Sequence, residues 1–172
     1  MGRNNKKPIM KSLIIAFVLV CCVSCSFQTE VHYRDQKENK VFTGIEALEI
    51  KQKGMDVKLS PSLSDTLSVA IRIDDMTLRG IDTENMESPF RFMVEKGKLR
   101  IEPTYGGKVK ESQGLIAVLV PRSVEMIEVE TREGNIEANG IRAKVMDLVS
   151  REGSVKNEDC EGWEQMHIFS HH

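Results

Sequence analysis

Carboxylates are the residues of this chain best suited to chemistry, and they are densest in two places. Asp74-Asp75 stands in "IRIDDMTLRG", and "NEDCE" spans Asn157–Glu161. Paired carboxylates can share acid–base work on a glycosidic bond or hold a divalent cation. A hydrolase or lyase built on strands would gather such acids with Arg or Lys on one outer face. The surrounding pattern gives a plainer reading. "IRIDDMTLRG" is a strand running into a loop, and "NEDCEGW" is a solvated corner. Glu128 and Glu130 alternate with Ile127 and Val129, so they are expected to point outward as a soluble face.

The histidines are His32, His167, His171 and His172. On a strand His167 and His171 share a face about 13 Å apart, too far for one metal ion to bridge. Zinc would need further ligands, and no second Cys or His group offers them. No G-x-S-x-G, P-loop or G-x-G-x-x-G occurs, so neither a serine nucleophile nor a phosphate cradle is signalled. No catalytic, cofactor-binding or metal residue is therefore assigned, and a non-enzymatic protein is expected. Trp163 reads as a cover on the side of a core, with a sugar-stacking platform as the alternative. Phe169 is placed outward by its register. Cys160 is the one cysteine outside the N-terminal segment and reads as a buried, inert thiol.

The elements that would position these residues begin after a targeting segment. "MGRNNKKPIMKS" carries Arg3, Lys6, Lys7 and Lys11 without an acid, and the apolar run Leu13–Val23 follows. Eleven apolar residues are too few for a membrane span, which needs roughly 20, and fit a secretory signal. N-myristoylation at "MG" is not expected, because Lys6 stands where Ser or Thr is required. The residues "CVSC" at Cys22–Cys25 resemble a bacterial lipoprotein signal, with Cys22 where that family prefers leucine. The resemblance implies cleavage after Ser24 and lipid attachment at Cys25; the alternative is ordinary cleavage and a soluble exported product. The whole chain has 24 basic and 26 acidic residues, and loss of residues 1–24 leaves 20 against 26, a net charge of −6. That balance argues against a nucleic-acid partner and leaves the lipid as the means of membrane attachment.

Residues 25–40 mix both charge signs with few apolar positions and are expected to form a flexible tether. From Val41 onward, short segments alternate apolar and polar residues between glycine breaks: "ALEIKQ", "MDVKLS", "LSVAIRI", "FRFMVE", "KLRIEP", "LIAVLVP", "MIEVET", "VMDLVS" and "MHIFS". Period-2 alternation without a sustained helical period predicts an all-β domain over residues 41–172. Ala47–Gln52 with Met55–Ser60, and Phe90–Glu95 with Lys98–Pro103, are each open to being antiparallel hairpins.

The last third aligns with itself. "VETREGNIEA" at Val129–Ala138 recurs nineteen residues later as "LVSREGSVKN". Ile127, Met146 and Met166 then fall into one column, and Val129, Leu148 and Ile168 into the next. Thr131, Ser150 and Ser170 form a corner column whose hydroxyls can satisfy turn amides. Gly134 and Gly153 are assigned as structural turns. A repeat of about 20 residues predicts a right-handed parallel β-solenoid, with an antiparallel sandwich as the competing reading. The final coil begins "MHIFSHH" and reads as truncated, so self-association through an uncapped end is expected.

The stretches Phe42–Ile71, Val94–Pro103, Ile116–Ile141 and Asp147–Asn157 resemble the bacterial adhesin-candidate domains of unknown function, relatives of the head domain of autotransporter-like adhesins. The shared pattern is a strand, a glycine turn and a valine-rich strand, later "G-x-L-x-I", then "hydrophobic-x-V-P" and repeated "(T/S)-x-x-G-(D/N/S)-(I/V)". The resemblance implies an extracytoplasmic β-solenoid, lipid-anchored in the cell envelope on a periplasmic or surface face. It implies an adhesion or scaffold role, with a protein or glycan ligand on a strand face. The alternatives are a carbohydrate-binding or carbohydrate-active domain, or an envelope-stress regulatory component.

Overall fold

The computed structural model describes residues 30–79, 88–104 and 109–170. The signal segment, Cys25, His171 and His172 lie outside them. Among the described residues there are strands and no helix, so the all-β expectation holds. The strands are β1 (Glu30–Phe42), β2 (Ala47–Gln52), β3 (Asp56–Pro61), β4 (Leu67–Arg79), β5 (Phe90–Glu95) and β6 (Lys98–Pro103). They continue with β7 (Val109–Val120), β8 (Met126–Thr131), β9 (Ile136–Asn139), β10 (Arg142–Ser150), β11 (Val155–Glu158) and β12 (Glu161–Ser170).

They form two open, mixed sheets. The first has the order β1-β4-β7-β3-β9-β11 and the second β12-β10-β8-β2-β6-β5. Pairing is parallel from β7 through β3 and β9 to β11, and from β6 through β2, β8 and β10 to β12. Strands β1 and β4 add to the first sheet antiparallel, and β5 adds antiparallel to the second. Val129 pairs with Leu148 in parallel, and Ile127, Met146 and Met166 share one row, as the nineteen-residue repeat predicts.

The chain crosses from the second sheet to the first at β2–β3, β6–β7, β8–β9 and β10–β11, so the apolar side chains of one rung meet those of the next. Leu99, Leu48, Ile127 and Met146 form one buried column; Ile101, Ile50, Val129 and Leu148 form another. Across the core stand Ile116, Val57 and Ile136. Alternation puts every second residue of these strands inward, and burial of a Leu or Ile contributes about 1.5–3 kcal/mol. These columns hold the two sheets together.

Two local expectations change. Ala47–Gln52 and Met55–Ser60 do not make a hairpin: β2 and β3 lie in different sheets, each between parallel neighbours. β5 and β6 do pair antiparallel, through Lys96 and Gly97 at φ +49° and +77°. Positive φ at both central residues is what a type I′ turn requires. Residues 30–40, expected as part of a tether, instead belong to β1, paired along its length with β4. The strand is held by its backbone ladder and by the buried Tyr33, while its other described side chains down to Val41 are charged, polar or exposed. Such an edge strand lacks the alternation that marks strands in sequence.

The repeated corner explains the "REG" motif. The buried Thr131 hydroxyl accepts from Gly134 N at 3.0 Å and donates to Lys53 O at 3.1 Å. One rung later, the Ser150 hydroxyl accepts from Gly153 N at 3.0 Å and donates to Gly134 O at 2.8 Å. In the preceding rung Gln52 does the same with an amide, accepting from Met55 N at 2.7 Å and donating to Met55 O and to Thr131 Oγ1. Each corner side chain thus closes its own turn and ties it to a neighbouring rung. Ser150→Ala is expected to lower stability by about 2 kcal/mol, because Gly153 N–H and Gly134 O lose a buried partner. The exposed Ser64→Ala should change stability by less than about 0.5 kcal/mol. Urea unfolding midpoints of the two variants check both values.

Candidate functional site

The outer face of the second sheet carries an ordered array of polar side chains. Parallel register sets Arg100, Glu49, Glu128, Asp147 and His167 in one row across five strands. Lys51, Glu130, Val149 and Phe169 form the row beside it. Because alternation turns Leu48, Ile50, Ile127 and Val129 inward, the acids between them face out. Glu128 and Glu130 thus have the outward placement read from the sequence.

Glu49 is the centre of this array. Its side chain is only 3% exposed, covered by three cations that meet it from adjacent strands. Lys51 Nζ lies 2.8 Å from Oε1, while Lys98 Nζ and Arg100 Nε lie 2.6 and 3.0 Å from Oε2. Burial alone would raise the carboxyl pKa. Hydrogen bonds from Lys51, Lys98 and Arg100 outweigh that and hold it at about 2. The same bond to Glu49 raises the pKa of Lys51 and of Lys98. Lys98 also reaches Glu128 at 3.2 Å, and His167 Nδ1 meets Asp147 at 2.8 Å.

The array runs into the "REG" corner. Arg151 grips Glu130 through Nη2 at 2.6 Å and Nε at 3.2 Å, and Arg132 meets Glu152 at 3.0 Å. These pairs join residues of different repeats. Exposed pairs of this kind contribute about 0–1 kcal/mol each, so their main effect is to fix where the charges stand. Beside them opens a cleft of about 840 Å³, its walls including Lys51, Lys53, Arg91, Glu102, Arg132 and Arg151. Lys53 is held there by donating to Lys110 O at 2.7 Å. Cleft and sheet face are continuous, since Lys51, Glu130 and Arg151 line both the cleft and the shallow groove over the sheet.

The residues singled out in the sequence fall largely elsewhere. Asp74 pairs with Arg72 at 2.9 Å and Asp75 with Arg34 at 3.5 Å, all on the first sheet and away from this face. Within "NEDCE", Glu158 pairs with Lys156 and Glu161 with Arg142. No group of three His, Cys, Asp or Glu side chains among the described residues converges as a metal site would require. Cys160 is half-buried; burial raises its thiol pKa, and Ile141 N and Glu158 O engage the sulfur. Trp163, expected to cover a core, is 58% exposed instead. It sits where the pairing of β12 with β10 slips register, so it follows no apolar column. Gly134 and Gly153 lie in the corner bends, and neither has positive φ. Each is glycine because the backbone of the neighbouring rung lies where a Cβ would stand.

Sequence reasoning passed over Glu49, Lys98 and Arg100. The available signal was the pair of cations in "KLRIEP", spaced to share a strand face, which point at Glu49 once β6 is known to lie beside β2.

No family model matches the chain, and no curated protein does. Solved structures do. One is a candidate cell adhesion protein from Clostridium sporogenes, 10% identical, with a TM-score of 0.36 over 80% of this chain and all of that one. A candidate adhesin from Bacteroides fragilis is 10% identical, with a TM-score of 0.38 over 78% of this chain and 58% of the other. A candidate lipid-binding protein from Parabacteroides distasonis is 16% identical, with a TM-score of 0.29 over 71% and 52%. The chain thus spans little more than half of the last two.

Proposed function

We propose that the chain is an exported, lipid-anchored protein of the cell envelope, whose domain is of β-solenoid type and acts in adhesion or scaffolding without catalysis. The observation that carries this reading is the outer face of the second sheet. Its charges are already paired across strands into a fixed, solvent-facing lattice around Glu49, bordered by the corner cleft. A carboxylate neutralised by three cations is not poised to take or give a proton near neutral pH. A preorganised array of donors and acceptors on a rigid sheet is instead suited to hold a polar macromolecule, since little side-chain entropy remains to be lost on binding. The in-register rungs, which place like positions about 4.8 Å apart, support the solenoid reading and give the face its regular spacing. The "CVSC" segment supports attachment through Cys25.

Two measurements test this. Cys25→Ala should move the protein from the membrane to the soluble fraction of cells; unchanged partition would contradict the anchor. The full chain, presented to a glycan array and to immobilised extracellular-matrix proteins, should bind at least one with a Kd in the range of about 1–100 μM. Absence of binding across both panels would contradict the adhesion role.

A further inference from the structure

We infer that the corner cleft takes an acidic polysaccharide, whose uronate carboxylates meet a ladder of cations, Lys53, Arg132 and Arg151, one on each of three successive rungs. The inference rests on reading the sheet face and cleft as a binding surface, and adds the chemical class of the ligand. Each of the three residues directly follows the last paired residue of its strand, Gln52, Thr131 or Ser150. They therefore repeat at the rung spacing of about 4.8 Å, and all three line the cleft.

The cleft holds more positive charge than its own acids cancel. Among the described residues, five basic side chains line it against three carboxylates, Glu102, Glu130 and Glu152, on a chain whose net charge is −2. Glu130 and Glu152 are already bound by Arg151 and Arg132. Lys53 Nζ donates to the carbonyls of Lys110 and Val109 at 2.7 and 3.3 Å, which fix it without cancelling its charge. Its carboxylate partner, Glu133, stands off at 3.6 Å. Lys51 shares the one carboxylate of Glu49 with Lys98 and Arg100. The side chains of Arg132 and Arg151 are 60% and 66% exposed, and a guanidinium has five N–H donors, more than one carboxylate fills.

The chemistry of the wall selects an acidic sugar chain. Among the described residues no aromatic ring lines the cleft, so a neutral sugar finds no face to stack on and charge must carry recognition. The guanidinium groups of Arg132 and Arg151 already hold carboxylates of their own chain, and their planar fork matches the same group in a ligand. An extended peptide would set the acids of one face about 6.6 Å apart, two residues on, out of step with the rungs. In a chain of uronate rings a carboxylate recurs with every ring, a spacing close to one rung.

Surface plasmon resonance of the full chain in detergent, over immobilised polygalacturonate, dextran and poly-glutamate, tests the assignment. Polygalacturonate should bind with a Kd of about 1–100 μM, more weakly as salt rises, and neutral dextran should not bind at the same concentrations. Arg132→Gln, which removes an exposed ion pair of small effect on stability, should raise the Kd by about tenfold, the loss of a charge-assisted contact. Lys58→Gln, on the first sheet, should leave it within about twofold of the parent. Absence of binding to polygalacturonate, a Kd indifferent to salt or to Arg132→Gln, or poly-glutamate bound as tightly would each overturn the inference. Binding of dextran or of a matrix protein without binding of polygalacturonate would overturn it too, while leaving the adhesion reading standing.

Discussion

Replacing Gly134 by alanine is expected to destabilise the domain by about 3 kcal/mol or more, the upper range for forcing atoms into a packed interior. An ideal Cβ on Gly134 would lie 1.9 Å from Met55 O and 2.5 Å from its carbonyl carbon. Both are backbone atoms of the neighbouring rung, so no side-chain rotation relieves the clash. The rungs must separate, and the Thr131 and Ser150 hydrogen bonds that join them must stretch with them. Gly153 is confined in the same way, at 2.4 Å from Gly134 O. Gly44 supplies the contrast: its φ is +67°, but nothing lies within 4 Å of an added Cβ. Gly44→Ala should therefore lose only about 1–2 kcal/mol to left-handed backbone strain. Urea unfolding of both variants checks the order. If Gly134→Ala were no more damaging than Gly44→Ala, close stacking would not be the reason for glycine in the corner.

The second large effect is electrostatic and follows pH. Glu49 has a folded pKa of about 2 against an ordinary 4.5. A depressed acid pKa stabilises the fold above the unfolded value, and that stability is lost as pH falls through the folded one. The contribution is thus fully present above about pH 5 and disappears between there and about pH 2. Its size is about 2–3 kcal/mol, toward the low end because the three cations are themselves partly in water. Glu49→Gln should cost that amount at pH 7, and the gap between variant and parent should close as the pH approaches about 2. The raised pKa values of Lys51 and Lys98 describe the same contacts from the basic side. That stability is present below their ordinary pKa and lost as pH rises through the raised ones, and it is not added to the first. A gap that stays constant from pH 7 to pH 2 would show that Glu49 acts through shape rather than charge.

Much of the fold was legible because its repeat is written in apolar alternation. The pairing of β8, β10 and β12 follows from two copies of "REG" with the same residues on either side. The hydroxyls at Thr131 and Ser150 were readable as corner partners because small polar side chains close turns. Other features depend on contacts far apart in sequence. That β2 sits between β6 and β8 cannot be inferred from the local pattern of "ALEIKQ". Without that neighbour, Glu49 looks like any outward glutamate on a half-buried strand. β1 escaped notice for the opposite reason, since its ladder is made of backbone and its side chains are those of a soluble segment. Trp163 was misplaced because a register slip, invisible in sequence, lifts it out of the columns.

The reading stands on the outer face of the second sheet being the working surface. The most direct measurement compares Arg151→Glu, on that face and in the cleft wall, with Lys58→Glu on the first sheet. Both residues form exposed ion pairs, to Glu130 and Glu137 respectively, so stability should change little and equally. Against whichever glycan or matrix protein retains the parent chain, Arg151→Glu should weaken binding by about tenfold or more, the loss expected when a repulsive charge enters a contact. Lys58→Glu should leave binding within about twofold of the parent, as expected for a charge outside the contact. Equal binding by the parent and Arg151→Glu, with loss in Lys58→Glu, would contradict the account and move the working surface to the first sheet.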